Sequence, residues 1–293
     1  MPTLETYNGY PLWHYIPNRP AAIVFAVLFV IATLYHVFAM FRHRLWFCIP
    51  FVIGGIFEIV GYVGRIIAYD ETGKLIPYIL QSIFLLLAPV LFAASLYMTL
   101  GRTILHTIHS NAASSAANVS NSLSFIPLRW ITRIFVTADI VSFFIQGAGG
   151  GLLTQSDTDS KTKTGQGIIV GGLVFQLVAF AVFITAVAVF DVRCRRLSIR
   201  PARFILPMLY VTSLLVMLRN LMRVVEYAMG QDGYLLLHEW PIYTLDGVPM
   251  LIVMAVFAAG YPSKLKQGVK SEAGGSQADS CEVEMGMRGT QRR

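Results

Sequence analysis

WFCIPFVIGGIFEIVGYVGRIIA, residues 46–68, decides how the chain is read, because it is long, apolar and yet contains Glu58 and Arg65. At a helical rise of about 1.5 Å per residue, such a segment crosses a hydrocarbon core of about 30 Å. Gly54, Glu58, Gly61 and Arg65 fall at i, i+4, i+7 and i+11. That spacing puts them on one helix face, small residues alternating with charges. A charged side chain near the bilayer centre costs roughly 2.5–3.5 kcal/mol, whereas one Leu or Ile returns only about 0.3–0.6 kcal/mol. A helix that accepts this cost on one face is expected to turn that face toward other helices.

Six further apolar runs of span length follow the same logic, at about 21–41, 78–100, 131–153, 166–190, 204–227 and 241–261. The chain is 55% hydrophobic and 13% charged, with mean hydropathy +0.62, whereas soluble domains carry about a quarter charged residues. Alternating ten-residue strands are absent, which argues against a barrel. The expected fold is an all-α membrane protein, a bundle of seven transmembrane helices. Residues 1–20 precede the bundle, residues 21–261 form it, and residues 262–293 read as a disordered tail rich in Gly, Ser, Glu and Arg.

Charge orients the bundle. Of 23 Lys and Arg, 15 lie after spans 1, 3, 5 and 7, and only Arg19, Lys74, Lys161 and Lys163 lie in the other four segments. The positive-inside rule therefore predicts an outside N-terminus and a cytosolic C-terminus. The net charge of +7 calls for no nucleic acid; basic loops facing anionic inner-leaflet lipid account for it. The polar, aromatic stretch before span 1 lacks the basic region of a cleavable signal peptide. Cys48, Cys194 and Cys281 all fall on the cytosolic side of this topology, so no extracellular disulfide is expected; Cys194 reads as a reduced thiol or a palmitoylation site. Residues 110–124 read as a flexible cytosolic loop, in which the sequon at Asn118 goes unused, and 154–165 as a polar outer loop.

The other spans repeat the pattern of charged stripes. Asp139, Ser142, Gln146 and Gly149 follow i, i+3, i+7 and i+10, and Arg219, Arg223 and Glu226 follow i, i+4 and i+7. Gln81, Gln176 and Asp246 add one group each from spans 3, 5 and 7. Counted by depth, most of these lie in the outer half, so a polar chamber opening outward is expected, with Arg65 and Glu239 at its entrance. Glu58, Asp139, Glu226 and Asp246 face Arg65, Arg219 and Arg223, which leaves one carboxylate to be protonated or to bind a cation. The same residues would also serve as interhelical locks. Pro89 and Pro249 each remove a helix hydrogen bond, Gly147 to Gly151 loosen span 4, and Gly167-x-x-x-Gly171 with Gly172 suits tight packing of span 5.

The ordered set resembles a known family. Glu58-x-x-Gly61-Tyr62-x-x-Arg65 precedes Gln81, Ala88-Pro89, Tyr97 and Gly101-Arg102; Asp139-x-x-Ser142, Gln146 and Gln176 follow, then Arg219, Arg223-x-x-Glu226, Glu239, Tyr243 and Asp246. This is similar to the fungal lipid-translocating exporters, the RTA-like seven-span proteins, over roughly residues 10–261. Met222 departs from the family pattern, in which an aromatic commonly precedes the second arginine. The resemblance implies a fungal plasma-membrane protein that moves membrane lipids or toxic amphiphiles (sphingoid bases, sterol-like compounds) and confers resistance. Its headgroup site would comprise Glu58, Gln81, Asp139, Gln146, Gln176, Arg219, Arg223, Glu226 and Asp246.

Two other classes compete with transport. A seven-helix lipid sensor or receptor shares the topology, although Asp-Arg-Tyr and Asn-Pro-x-x-Tyr signals are missing. An intramembrane enzyme is disfavoured, because only His36 lies in a span and zinc chemistry needs several converging ligands. Span 7 has no Lys for a retinal Schiff base, and no G-x-x-x-x-G-K-[ST] loop exists to bind ATP. No metal or cofactor is expected, and the sequence leaves the oligomeric state open.

Overall fold

The computed structural model describes residues 13, 15–70, 72–110, 128–154, 159–197, 204–230 and 233–260. Most of the residues 110–124, the Asn118 sequon, Cys281 and the tail 262–293 lie outside the described residues. Among the described residues, seven helical segments are long and apolar enough to cross a membrane, which makes this a multi-pass membrane protein. The helices are α1 (Arg19–His43), α2 (Ile49–Ala68, led by a 3-10 turn at Trp46–Cys48), α3 (Leu75–Ser110), α4 (Leu128–Thr154), α5 (Asp159–Arg196) and α6 (Ile205–Ala228). A short α7 (Tyr234–Leu237) leads into a π-helical turn (Ile242–Gly247), which continues as α8 (Val248–Ala259) to complete the seventh span.

Each span packs on its chain neighbours, and α8 returns to α1, closing a ring. α3 also touches α5 and α6, which makes it the central helix of the bundle. Its middle is buried on nearly every side, including Ala88, Phe92, Leu96 and Tyr97. Ser95, Thr99, Thr103 and Thr107 run down it at four-residue intervals, and each hydroxyl donates to the carbonyl four residues earlier. Such back-bonding lets a helix bury hydroxyls without help from another helix. By contrast, α1 exposes Ile31, Leu34 and Phe38, side chains suited to lipid.

Span 2 buries its stripe as expected: Gly54, Glu58, Gly61 and Arg65 are all inside. Gly54 and Gly61 admit α3 closely, since a Cβ at either would lie within 3 Å of Phe92 or Leu85 side-chain atoms. In span 5 only one of the three glycines expected to pack does so. Gly167 and Gly171 face open space, and the close approach to α4 is made instead by Gly172, where a Cβ would sit 2.9 Å from Gln146 Cγ and 3.2 Å from the Ser142 carbonyl. One residue turns the helix by about 100°, so the Gly167–Gly171 pair looks away from the face that Gly172 presents. The polar segment expected as an outer loop also shortens, because α5 begins at Asp159. Cys48 and Cys194 are buried and form no disulfide.

Candidate functional site

The chain's polar spans converge where α6 meets the π turn. Arg219 Nε donates to Asp246 Oδ1 at 2.6 Å, and Arg223 Nη2 donates to Asp246 Oδ2 at 2.6 Å. One carboxylate is thus shared by two guanidinium groups. Arg223 Nη1 also donates to Glu226 at 3.2 Å on the same helix. Arg219 Nη2 reaches across to the Leu85 carbonyl of α3 at 2.6 Å. Arg219 is only 2% exposed, so these bonds form in a dry interior, where charge-assisted hydrogen bonds are strong.

Local backbone irregularities place the groups. Pro89 has no N–H, so the carbonyl of Leu85, four residues earlier, is left for Arg219. The π turn carries Asp246 and ends just before Pro249, whose missing donor favours such a widening. Gly247 is required there: a Cβ would collide with the Tyr62 hydroxyl and with Phe25. A small cleft opens beside the cluster. Its polar wall is Arg219, Arg223, Glu226 and Asp246, and its apolar wall includes Met222, Leu235 and Leu245.

Glu58 lies within electrostatic range of Asp246, Arg219 and Arg223. It is 1% exposed, and its Oε1 has no hydrogen-bond partner among the described residues. The charge tally changes in three dimensions: Arg65 pairs with Glu239, so two of its four acids, Glu58 beside the arginines and Asp139 beside Tyr97, have no salt bridge among the described residues.

Arg65, fully buried, organises a second group at the Arg19 end of the bundle. Its Nε donates to the Tyr243 hydroxyl at 2.9 Å, Nη1 to Gln81 Oε1 at 3.1 Å, and Nη2 to Tyr15 at 3.1 Å and Glu239 Oε1 at 2.8 Å. The same Glu239 oxygen accepts from the Asn18 backbone N–H at 2.6 Å and the Tyr243 hydroxyl at 2.9 Å. Asn18 also caps α1, its side chain accepting from the Ala21 N–H. Trp13 packs on Ala68, Leu75 and Tyr78, so the segment leading into α1 lies across this end of the bundle.

The remaining candidates form two smaller groups on α3, α4 and α5. Asp139, 1% exposed, accepts from the Tyr97 hydroxyl at 2.9 Å, and Tyr97 packs against Phe135, Phe180 and Phe183. Gln146 donates to Ser142 Oγ and to Gln176 Oε1, each at 3.0 Å, and Ser142 donates to the Gly172 carbonyl. The expected chamber is thus divided. Glu58, Arg219, Arg223, Glu226 and Asp246 are together; Arg65, Gln81 and Glu239 form a second group; Asp139 and the Gln146–Gln176 pair lie apart. The residues that sequence reasoning left out are Tyr15, Tyr62, Tyr97 and Tyr243, hydroxyl-bearing neighbours of the charges. Three of them, Tyr62, Tyr97 and Tyr243, stand in the family pattern quoted above; Tyr62 and Tyr243 lie one helical turn from a charge, whereas Tyr97 sits in the middle of α3.

The fold and its charges define a seven-span membrane protein with an ion-paired cluster inside the bundle. Comparison with known proteins takes this further: residues 51–268 match the RTA1 like protein family, and the chain belongs to that family. It is 35% identical to Protoporphyrin uptake protein 1 of Saccharomyces cerevisiae, over 87% of this chain and 93% of that protein. It is 38% identical to Protein RTM1 of the same yeast, over 72% of this chain and 66% of that one. Sphingoid long-chain base transporter RSB1 of S. cerevisiae is 27% identical, over 85% of this chain and 73% of the relative. No solved structure matches the chain.

Proposed function

We propose that this protein translocates an amphiphile across the plasma membrane, with the headgroup held by the cluster of Glu58, Arg219, Arg223, Glu226 and Asp246. The observation that carries the reading is the cleft at the seam of α6 and the π turn, where buried charges meet an apolar wall of Met222, Leu235 and Leu245. A headgroup can exchange bonds with the charges while its chain stays on the apolar side. Ionisable groups inside membrane spans mark substrate or ion pathways by default. The names of two relatives point the same way, since protoporphyrin and sphingoid long-chain bases both join ionisable groups to an apolar body.

In this reading the Arg65–Glu239 rim faces the cell exterior, in line with the basic residues that follow spans 1, 3, 5 and 7, and residues 21–261 act as one unit. Asp139, Gln146 and Gln176 line a separate part of the path. Resistance to toxic amphiphiles follows if movement is outward. The protein performs no catalysis and needs no cofactor of its own.

The test is transbilayer movement of a labelled sphingoid base in liposomes containing only the purified protein, against Arg223→Ala and Asp139→Asn. Movement that depends on Arg223 is expected. A folded protein that binds the base without moving it would instead act as a lipid sensor.

A further inference from the structure

We infer that Glu58 is an exchange site, holding one proton when the cluster is closed and releasing it when a cationic headgroup binds. This rests on the transport reading above and names the substrate class as amphiphilic cations. The cluster holds three carboxylates, Glu58, Glu226 and Asp246, against two guanidinium groups, Arg219 and Arg223. Both arginines are engaged: Arg219 on Asp246 and the Leu85 carbonyl, Arg223 on Asp246 and Glu226. With all three ionised, one negative charge is in excess within this cluster, on Glu58, whose Oε1 has no hydrogen-bond partner among the described residues.

Glu58 makes no salt bridge among the described residues, because the arginines near it are bonded to other carboxylates. Gly54 and Gly61, one turn to either side, pack on Ala88, Phe92 and Leu85 of α3, and Gly55 packs on Thr33 of α1 and Met254 of α8. None of these titrates. On its own helix the nearest titratable group is Tyr62, whose hydroxyl is also buried without a hydrogen-bond partner among the described residues. From α6 it faces Arg219 and Arg223, and from the π turn Asp246. Two unpartnered polar groups one helical turn apart, beside a saturated ion-pair cluster, make a place for a single positive charge. A proton fills it as a neutral carboxylic acid.

The exchange balances. Glu58 gives its proton to solvent and becomes a carboxylate, and the incoming cation supplies the charge that left. The site stays neutral throughout, so it avoids the cost of an unpaired buried ion. One proton moves for each amphiphile, in the opposite sense, so a proton gradient drives export.

The test uses the purified full-length protein, weakly buffered with a pH-reporting dye, titrated with dodecyltrimethylammonium below its micelle concentration. That probe has a fixed charge and carries no proton of its own. Wild type is expected to release close to one proton per probe bound. Glu58→Gln is expected to bind at least about tenfold more weakly and to release none, and Glu58→Asp to restore release. Binding by wild type without proton release overturns the exchange, as does equal release from a folded Glu58→Gln; if that variant does not fold, wild type and Glu58→Asp decide. Failure of the folded wild type to bind the probe also overturns it. Liposome flux separates the two readings: movement of the sphingoid base without proton release removes the exchange and leaves the transporter standing.

Discussion

Arg219 Nη2 donates to the Leu85 carbonyl at 2.6 Å, and Leu85 is the residue whose helix donor Pro89 has removed. Two features that each carry a cost, a proline inside a span and an arginine inside a bundle, satisfy one another. The central helix is thereby tied to the charge cluster through its backbone, at a level set by the proline.

This relationship predicts coupling. Pro89→Ala restores an N–H to the Leu85 carbonyl and takes away part of what Arg219 holds. The destabilisation caused by Arg219→Met should therefore differ, with and without Pro89→Ala, by about 0.5–3 kcal/mol in reversible unfolding from mixed micelles. Equal costs in both backgrounds would show the two residues to be independent.

At the rim, Arg65→Lys should act as a disruptive change despite keeping the charge. A single ammonium cannot reproduce the planar fork that reaches Tyr243, Gln81, Tyr15 and Glu239. The expected readouts are a lower melting temperature and faster thiol labelling of an introduced Asn18→Cys. Unchanged labelling would mean that the segment before α1 is held by packing alone.

Two neighbouring glycines give a matched pair. Gly172→Ala forces a methyl toward Gln146 and the Ser142 carbonyl and should destabilise by about 1–3 kcal/mol. Gly171→Ala meets open space and should be neutral or slightly stabilising, in line with the better helix propensity of alanine. Similar losses at both positions would place a partner against the Gly171 face.

Asp139 tests the division of the chamber. Because it is bonded to Tyr97 and not to the arginines, Asp139→Asn should leave equilibrium binding of a cationic amphiphile within about twofold, while Glu58→Gln weakens it about tenfold or more. A tenfold loss with Asp139→Asn would join the two groups into one site.

Much of this architecture was legible because lipid restricts what a sequence can do. Length and hydropathy found all seven spans, and periodicity in α2, α4 and α6 placed Glu58, Asp139 and Arg219 inside. Spacing within one helix could not say which charge meets which across the bundle. Arg65 and Glu239 are far apart in sequence, and their meeting depends on the ring closing from α8 to α1. The glycines of α5 show the same limit: two faces both bore small residues, and only packing against α4 chose Gly172. The π turn has no sequence period of its own, so the position of Asp246 between two arginines was visible only in three dimensions.

Glu239 Oε1 accepts from Asn18, Arg65 and Tyr243, which belong to the approach to α1, to α2 and to the seventh span. Three segments are thus knotted at a single atom. Any event that withdraws that oxygen, such as a competing cation, is felt by all three in the same instant. On that side of the bundle the rim behaves as one latch.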